Sequence, residues 1–307
     1  MWYALASYDA GAVVRTALVV DARLYDLDDV CRCADSTARS LCAGGIGAVV
    51  DAWTSVTPEL TRLAATVPQQ TAAGVLHALP ADVRLQAPYR PTRIFAAASN
   101  YREHAKEMGT RLAPRAESAP YFFMKADSSV TGPGAPVRIP QGCQKADWEV
   151  ELAVILGRGG RDIAAADAAA HIAGYAILND VSARDMTRRT DYPFTFDWFR
   201  GKSHDTFAPL GPWLVPHDCI GNAQDLRLRL EVNGVVMQDD TTASMIFTIA
   251  EQIAYLSTVV TLRAGDVIAT GTPDGVGMGR GVFLTPGDVM RASIDQIGEL
   301  ENPVTGD

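Results

Sequence analysis

The stretch that most constrains the fold is residues 147–157, which read Asp-Trp-Glu-Val-Glu-Leu-Ala-Val-Ile-Leu-Gly. It is rich in Val, Ile and Leu, contains no Pro and ends at a Gly, and this pattern predicts one β-strand. Because side chains alternate across a strand, Glu149 and Glu151 point to the same face, roughly 6–7 Å apart. Two such carboxylates repel each other, so either water solvates both or a cation lies between them.

Short apolar runs broken by Gly and Pro extend on both sides of this strand, from Thr92 onward. Many short strands with few helices predict an α+β, mainly β domain, curled or layered, rather than a doubly wound sheet. The other predicted strands are 94–98, 121–125, 136–139, 172–179, 211–215, 226–232, 235–238, 267–270, 282–284 and 289–294. The predicted helices of this part are 100–109, 164–172 and 246–258.

The sequence pattern of residues 1–80 differs from that of the rest of the chain. Two strand patterns, at 3–8 and 17–21, predict a small sheet, and helical patterns follow near 37–42, at 43–50 and over 58–65. We therefore expect a small α+β accessory domain at 1–80 and a catalytic domain at 81–307, joined by a Pro-containing linker around 79–91.

Composition and charge limit the class of protein. The 307 residues are 48% hydrophobic and 21% charged, and a net charge of −9 without a Lys/Arg cluster argues against a nucleic-acid surface. Five irregularly spaced Cys predict reduced thiols, with neither a disulfide framework nor a zinc site. The sequence shows no signal-peptide pattern and no apolar run of about 20 residues, so we expect a cytoplasmic protein with no membrane partner.

A third carboxylate follows the strand predicted at 172–179, where Ala-Ile-Leu-Asn-Asp ends in Asp180. At a strand end this group is well placed to join Glu149 and Glu151, although capping a turn is the common role of an isolated Asp. Three carboxylates form a hard-oxygen site suited to Mg²⁺ or Mn²⁺. The sequence therefore predicts a divalent metal site.

Two further motifs carry acid–base groups. His104 and Glu107 share a face of the helix predicted at 100–109, and an imidazole oriented by a carboxylate is a competent general base. A single His does not make the paired-histidine zinc motif, and a surface ion pair is the plainer alternative. Lys202 lies between Gly and Ser in an aromatic and Pro-rich context, which is unusual for a lysine that only adds surface charge.

Taken in their order along the chain, these motifs resemble the fumarylacetoacetate hydrolase family. The resemblance extends from Thr92 to Val304 and rests on the segments 101–107, 149–151, 179–185, 201–202, 233–238 and 270–273. It implies a mixed β-roll or β-sandwich catalytic domain around a metal, in a homodimer, and residues 1–80 resemble the variable N-terminal extension of bacterial members. The chain departs from the family pattern at residues 96–99 and at His204, two positions that bear on substrate preference.

The resemblance also implies a role for each site residue. It implies that Glu149, Glu151 and Asp180 hold Mg²⁺ or Mn²⁺. It implies that His104 and Glu107 form a catalytic dyad and that Lys202 is an active-site lysine. The positions that it implies in substrate binding are Tyr101, Arg184, Gln238 and Thr272.

A divalent ion on three carboxylates can chelate a 2-oxo acid, so a bond broken at C3 leaves an enolate whose charge falls on a metal-bound oxygen. If His104, aligned by Glu107, activates water against a C4 carbonyl, the C3–C4 bond breaks, with Lys202 and Gln238 stabilising the oxyanion. We therefore predict a hydrolase of a 2,4-dioxo acid of the acylpyruvate, fumarylpyruvate or fumarylacetoacetate type. Loss of CO₂ or of a proton forms the same enolate, which leaves open a decarboxylase, isomerase or tautomerase of oxaloacetate or a 2-hydroxy-dienoate in aromatic catabolism. A non-catalytic metal-stabilised binding protein is the alternative from another class.

Overall fold

The computed structural model describes residues 1–36 and 44–307. The helix predicted near 37–42 lies outside the described residues. The strands are β1 Ala4–Asp9, β2 Val14–Val20, β3 Arg23–Asp26, β4 Leu85–Gln86, β5 Ile94–Ala98, β6 Tyr121–Lys125, β7 Val130–Thr131, β8 Val137–Ile139, β9 Ala146–Asp147, β10 Val150–Leu156, β11 Ile172–Asn179, β12 Ser182–Ala183, β13 Ala208–Pro216, β14 Arg227–Val232, β15 Val235–Thr241, β16 Val267–Ala269, β17 Val289–Ile294 and β18 Gly298–Gly306. The helices are α1 Leu27–Cys33, α2 Gly45–Asp51, α3 Trp53–Ala72, α4 Arg102–Glu107, α5 Arg184–Thr187, α6 Trp198–Lys202, α7 Ile249–Val259 and α8 Gly277–Arg280.

The strands form one large sheet and two smaller ones. The large sheet has the order β3-β2-β1-β13-β11-β10-β16-β5-β6, with β4 paired to β1 and β7 to β13. A five-stranded sheet has the order β15-β14-β17-β18-β8, and β12 pairs with β9. Sheet content exceeds helix content, so the predicted α+β, mainly β fold is confirmed.

Strand β10 lies in the middle of the large sheet, and all of its residues are buried. Alternate residues belong to two apolar clusters: Val150 and Leu152 pack in one, and Ala153 and Ile155 in the other. The first cluster includes residues of the five-stranded sheet, and the second includes α3. The central strand is therefore covered on both faces. It begins at Val150 and not at Asp147 as predicted, so Glu149 directly precedes the strand and Glu151 is its second residue.

The N-terminal strands continue the large sheet, and this corrects the expectation of a small sheet of their own. Strand β1 pairs antiparallel with β13 through Leu5 and Leu214. Strand β4 lies in the segment expected to be a linker and pairs with β1. These pairings join residues far apart in sequence, which local patterns do not show. The division of the chain at residue 80 stays a prediction.

Several element boundaries differ from the sequence patterns. Helix α3 runs well beyond the predicted 58–65 because its buried apolar stripe extends from Trp53 to Val67 across Pro58, and the helix itself continues past Pro68. Residues 282–284 form no strand but one bridge between Leu284 and Ala146. The helix predicted at 164–172 is a 3₁₀ helix, and β18 was not predicted.

Within the residues that the structure describes, no helix has the length and apolar character needed to cross a bilayer. The cytoplasmic location stays a prediction.

Candidate active site

The three predicted carboxylates come together because of the register between β10 and β11. Val150 lies opposite Asn179 in this antiparallel pair, so the residues just outside it, Glu149 and Asp180, are also neighbours. The amide N–H of Asp180 donates to the Glu149 carbonyl at 2.8 Å. One carboxylate oxygen from each of Glu149, Glu151 and Asp180 lies within 4.8 Å of the others, and all three residues are buried.

The partners of these carboxylates test whether the cluster fits a metal ion. Glu149 accepts from Arg184 and Lys202, and Asp180 also accepts from Lys202. Glu151 accepts one hydrogen bond, from the Gly271 amide at 2.8 Å. Its other oxygen, Oε1, is buried and has no hydrogen-bond partner among the described residues. Glu151 Oε1 is thus a buried carboxylate oxygen without a partner in a cluster of oxygen ligands, which is what a hard divalent cation requires. The residues therefore fit such an ion.

The surroundings of Glu149 and Glu151 shift the pKa values of these two residues in opposite directions. Burial and the neighbouring Asp180 and Glu149 carboxylates raise the pKa of Glu151 well above its usual value. Burial also disfavours ionised Glu149, but Arg184 and Lys202 outweigh it and hold the pKa of Glu149 below its usual value. Of the two glutamates, Glu151 is therefore the one whose ionisation depends more on a bound cation.

This difference predicts that metal binding releases a proton from Glu151. Because the apoprotein favours protonated Glu151 and a metal needs the carboxylate, affinity should rise with pH up to the raised pKa. Calorimetry in buffers of different ionisation enthalpy should show proton release on metal binding, greatest at the acidic end of the pH range and reaching up to about one proton per ion. Binding that is independent of pH and releases no proton would contradict this assignment.

Two buried lysines contact the carboxylate cluster, one of which the sequence analysis missed. Lys202 Nζ lies 2.6 Å from Glu149 Oε2 and 2.7 Å from Asp180 Oδ2. Burial lowers the pKa of Lys202, but Asp180 and Glu149 outweigh it, so the net shift is upward. The missed residue, Lys125, donates to the other oxygen of Asp180 and to the Val181 carbonyl. Its only signal in the sequence is a lysine that closes an apolar strand pattern.

His104 and Glu107, the predicted dyad, both lie on α4, and their side chains are farther apart than a hydrogen bond allows. His104 Nδ1 is 3.7 Å from Glu107 Oε2, and His104 is buried. The Gly275 amide, 3.1 Å from each Glu107 oxygen, fixes the carboxylate, and a φ of +96° at this glycine allows the close approach. Burial raises the pKa of Glu107, but nearby His104 and the Gly275 amide outweigh it and lower the pKa. The dyad thus places an ionised carboxylate behind an imidazole.

Glu149, Glu151 and His104 line one pocket of about 490 Å³. The predicted site residues that line it are His104, Glu149, Glu151, Arg184, Lys202 and Thr272. Within the described part of the chain, the predicted residues outside this lining are Tyr101, Glu107, Asp180 and Gln238. Asp180 lies behind Lys202, and Glu107 lies behind His104.

Gln238 and Thr272 make internal contacts that sequence patterns could not indicate. Gln238 Nε2 donates to Thr272 Oγ1 at 2.8 Å and to the Pro273 carbonyl at 2.9 Å, and its oxygen accepts from the Val150 amide at 3.0 Å. Thr272 donates in turn to the Val150 carbonyl. The two side chains therefore hold the loop after β16 against β10. Their predicted contacts with substrate stay predictions.

The other two residues predicted in substrate binding differ in how they are held. Arg184 is anchored by Asp147, 2.8 Å from its Nε, and by Glu149. The Tyr101 hydroxyl is buried and has no hydrogen-bond partner among the described residues. Asp147 is a further residue that the sequence analysis missed, because its role depends on a partner 37 positions away.

A match to a family model decides where this chain belongs. The model described as fumarylacetoacetate (FAA) hydrolase C-terminal matches residues 93–305, which is most of the chain and includes every predicted site residue. The chain belongs to the fumarylacetoacetate hydrolase family. It is an enzyme of this family, and it carries a buried acidic triad that can hold a divalent metal.

Relatives within the family have different activities. The chain is 42% identical to the mitochondrial oxaloacetate tautomerase of Xenopus laevis over 226 residues, covering 73% of this chain and 69% of that protein. It is 38% identical to the 2,4-didehydro-3-deoxy-L-rhamnonate hydrolase of Sphingomonas sp. over 254 residues, covering 81% and 86%. The structure of fumarylacetoacetate hydrolase from Exiguobacterium antarcticum superposes with a TM-score of 0.79 at 32% identity, covering 99% of this chain and 100% of that one.

Proposed function

We propose that this family member hydrolyses the C3–C4 bond of a 2,4-dioxo acid, with Mg²⁺ or Mn²⁺ held by Glu149, Glu151 and Asp180. The observation that carries the proposal is the buried His104, which lines the same pocket as two of these carboxylates and has the fixed Glu107 behind it. When bound, the metal would supply Lewis-acid stabilisation of negative charge on the oxygens of a 2-oxo acid.

The residues of the chain then have distinct tasks. His104 takes a proton from water as the water oxygen bonds to C4, and Glu107 stabilises the imidazolium that forms. The C3–C4 bond breaks, and the proton on His104 can pass to C3, which gives a 2-oxo acid such as pyruvate and a carboxylic acid. Lys202 and Arg184 line the pocket and offset the negative charge of Glu149, Asp180 and Asp147, which lowers the repulsion that an anionic substrate meets beside these carboxylates.

The proposal is tested by the products formed from acetylpyruvate and from oxaloacetate. The purified protein is assayed with Mg²⁺, with Mn²⁺ and with EDTA, and products are followed by NMR. We expect equal amounts of acetate and pyruvate from acetylpyruvate, only when metal is present. Metal-dependent CO₂ from oxaloacetate without acetate from acetylpyruvate would replace hydrolysis by decarboxylation.

A second candidate function is tautomerisation of oxaloacetate, which the 42% identity to the Xenopus laevis tautomerase favours. The same residues suffice, because His104 could move a proton between C3 and the enol oxygen without attack by water. Keto–enol equilibration of oxaloacetate, followed by ultraviolet absorbance, separates the two functions. Fast equilibration together with uncleaved acetylpyruvate would favour the tautomerase.

A further inference from the structure

One side of the pocket is built from four aromatic side chains, Tyr121, Phe123, Phe196 and Trp198, which we call the aromatic wall. The Phe123 and Trp198 rings stack with centroids 5.1 Å apart and planes 19° apart. Phe196 and Tyr121 each contact Trp198, with centroids 6.3 and 6.2 Å away. Phe196 is 60% and Tyr121 57% exposed, so the wall leaves aromatic surface in contact with water.

Strand β6 connects the aromatic wall to the carboxylates. Residues two apart on a strand share a face, so Tyr121 and Phe123 point to the same side as Lys125. Lys125 contacts Asp180, so this side of the strand faces the acidic cluster. Phe122 points the other way and stacks on Tyr255.

Helix α6 makes a second connection between the wall and the cluster. Trp198 and Lys202 are four residues apart and lie on the same side of the helix. Lys202 Nζ contacts Glu149 and also lies 5.3 Å from the centroid of the Phe123 ring. A molecule anchored at the carboxylates would therefore continue onto Phe123 and then onto Trp198.

The part of the pocket that lies away from the carboxylates presents mainly apolar surface to a ligand. Leu112, Ile246 and Phe247 add apolar surface to the pocket. Arg115 lines it but is paired with Glu251. Among the described lining residues, the cation without an ion pair is Arg102, which is exposed. The pocket volume of about 490 Å³ is also much larger than a pyruvate head group requires.

We propose that the enzyme selects 2-oxo acids that carry a large apolar substituent, above all an aryl group that stacks on Phe123 and Trp198. This proposal rests on the proposed function only in that the 2-oxo acid head group binds at the carboxylate cluster. The physical reason is that covering exposed aromatic surface with an apolar group removes both surfaces from water, and stacked rings add specificity of geometry. Trp198 and Phe123 are then specificity-determining residues.

The test measures binding of two acids that cannot be hydrolysed because they lack a carbonyl at C4. With Mg²⁺ present, 4-phenyl-2-oxobutanoate should bind about ten- to a hundredfold more tightly than 2-oxobutanoate. The variants Trp198→Ala and Phe196→Ala should each reduce the ratio of the affinity for 4-phenyl-2-oxobutanoate to the affinity for 2-oxobutanoate, Trp198→Ala by at least about fivefold. Neither variant should weaken the binding of 2-oxobutanoate. Phe194→Ala is the matched control, because Phe194 is also an exposed aromatic residue and lies two positions from Phe196 but does not line the pocket. This variant should have the same affinity ratio as the wild type.

The outcomes separate this proposal from the proposed function. Equal affinity for the two acids would overturn the proposal, whatever acetylpyruvate does. Tighter binding of the phenyl compound would support it even if neither acetylpyruvate nor benzoylpyruvate is cleaved, a result that would instead reject the hydrolase. If 2-oxoadipate binds more tightly than the phenyl compound and Arg102→Gln removes that advantage, the pocket selects a distal carboxylate and the proposal is wrong.

Discussion

His104→Gln should lower kcat for hydrolysis by about 10²–10⁴-fold while leaving metal binding intact. The imidazole lies in the pocket that Glu149 and Glu151 also line, with the Glu107 carboxylate 3.7 Å from Nδ1. Glutamine is polar and similar in size, so it can fill the site without leaving a cavity, but it cannot take a proton from water. The loss should therefore appear in kcat far more than in KM.

The matched control for this variant is Glu103→Gln. Glu103 lies on the same helix, is exposed and pairs with Lys106 at 3.2 Å, so its replacement should leave kcat at the wild-type value. Steady-state kinetics with acetylpyruvate and a separate Mn²⁺ titration supply both readouts. If His104→Gln loses Mn²⁺ together with activity, His104 is a metal ligand and not a base.

Asp180→Ala should lower the free energy of unfolding by about 3–5 kcal/mol in EDTA, because it leaves Lys125 buried without a carboxylate and removes one of the two carboxylates that Lys202 contacts. Lys125 and Lys202 both contact Asp180, and the three residues are nearly inaccessible to water. Glu151→Gln removes a negative charge from the same cluster but takes no partner from a lysine. It should therefore lower the free energy of unfolding far less. Burial and repulsion by Asp180 and Glu149 raise the pKa of Glu151 in the apoprotein, and the substitution removes this repulsion.

Urea denaturation of both variants and the wild type, all in EDTA, measures this difference. The two variants share the loss of one carboxylate from one cluster, so their comparison isolates the effect on the buried lysines. Wild-type stability of Asp180→Ala, or equal loss in the two variants, would show that the lysines do not depend on Asp180.

The sequence could predict the acidic cluster because its signals are local. The alternation of a predicted strand puts Glu149 and Glu151 on one face, although the observed strand begins one residue after Glu149, and an apolar run that ends in Asp180 indicates a strand end. The boundaries of β5, β6, β11 and β17 were also predicted, since each is a short apolar run with clear limits. What local patterns do not contain is the register of β10 against β11, which brings the three carboxylates together.

The residues that were missed act through partners distant in the chain. Lys125 contacts Asp180 across 55 positions, and Asp147 accepts from Arg184 across 37. Gln238 was predicted from a family resemblance, but its bonds to Thr272 and Val150 depend on how two sheets pack. The pairing of β1 with β13 is of the same kind. Such contacts depend on the tertiary structure, and the local pattern of apolar and polar residues does not reveal them.

The most direct test of the account is a Mn²⁺ titration of the apoprotein, with free Mn²⁺ followed by electron paramagnetic resonance. The proposed site consists of Glu149, Glu151 and Asp180, so the wild type should bind one Mn²⁺ per chain. Glu151→Gln should weaken binding by at least about a hundredfold, since changes even behind a ligand cost 10–100-fold. Unchanged stoichiometry and affinity in Glu151→Gln would contradict the metal site on which the proposed chemistry depends.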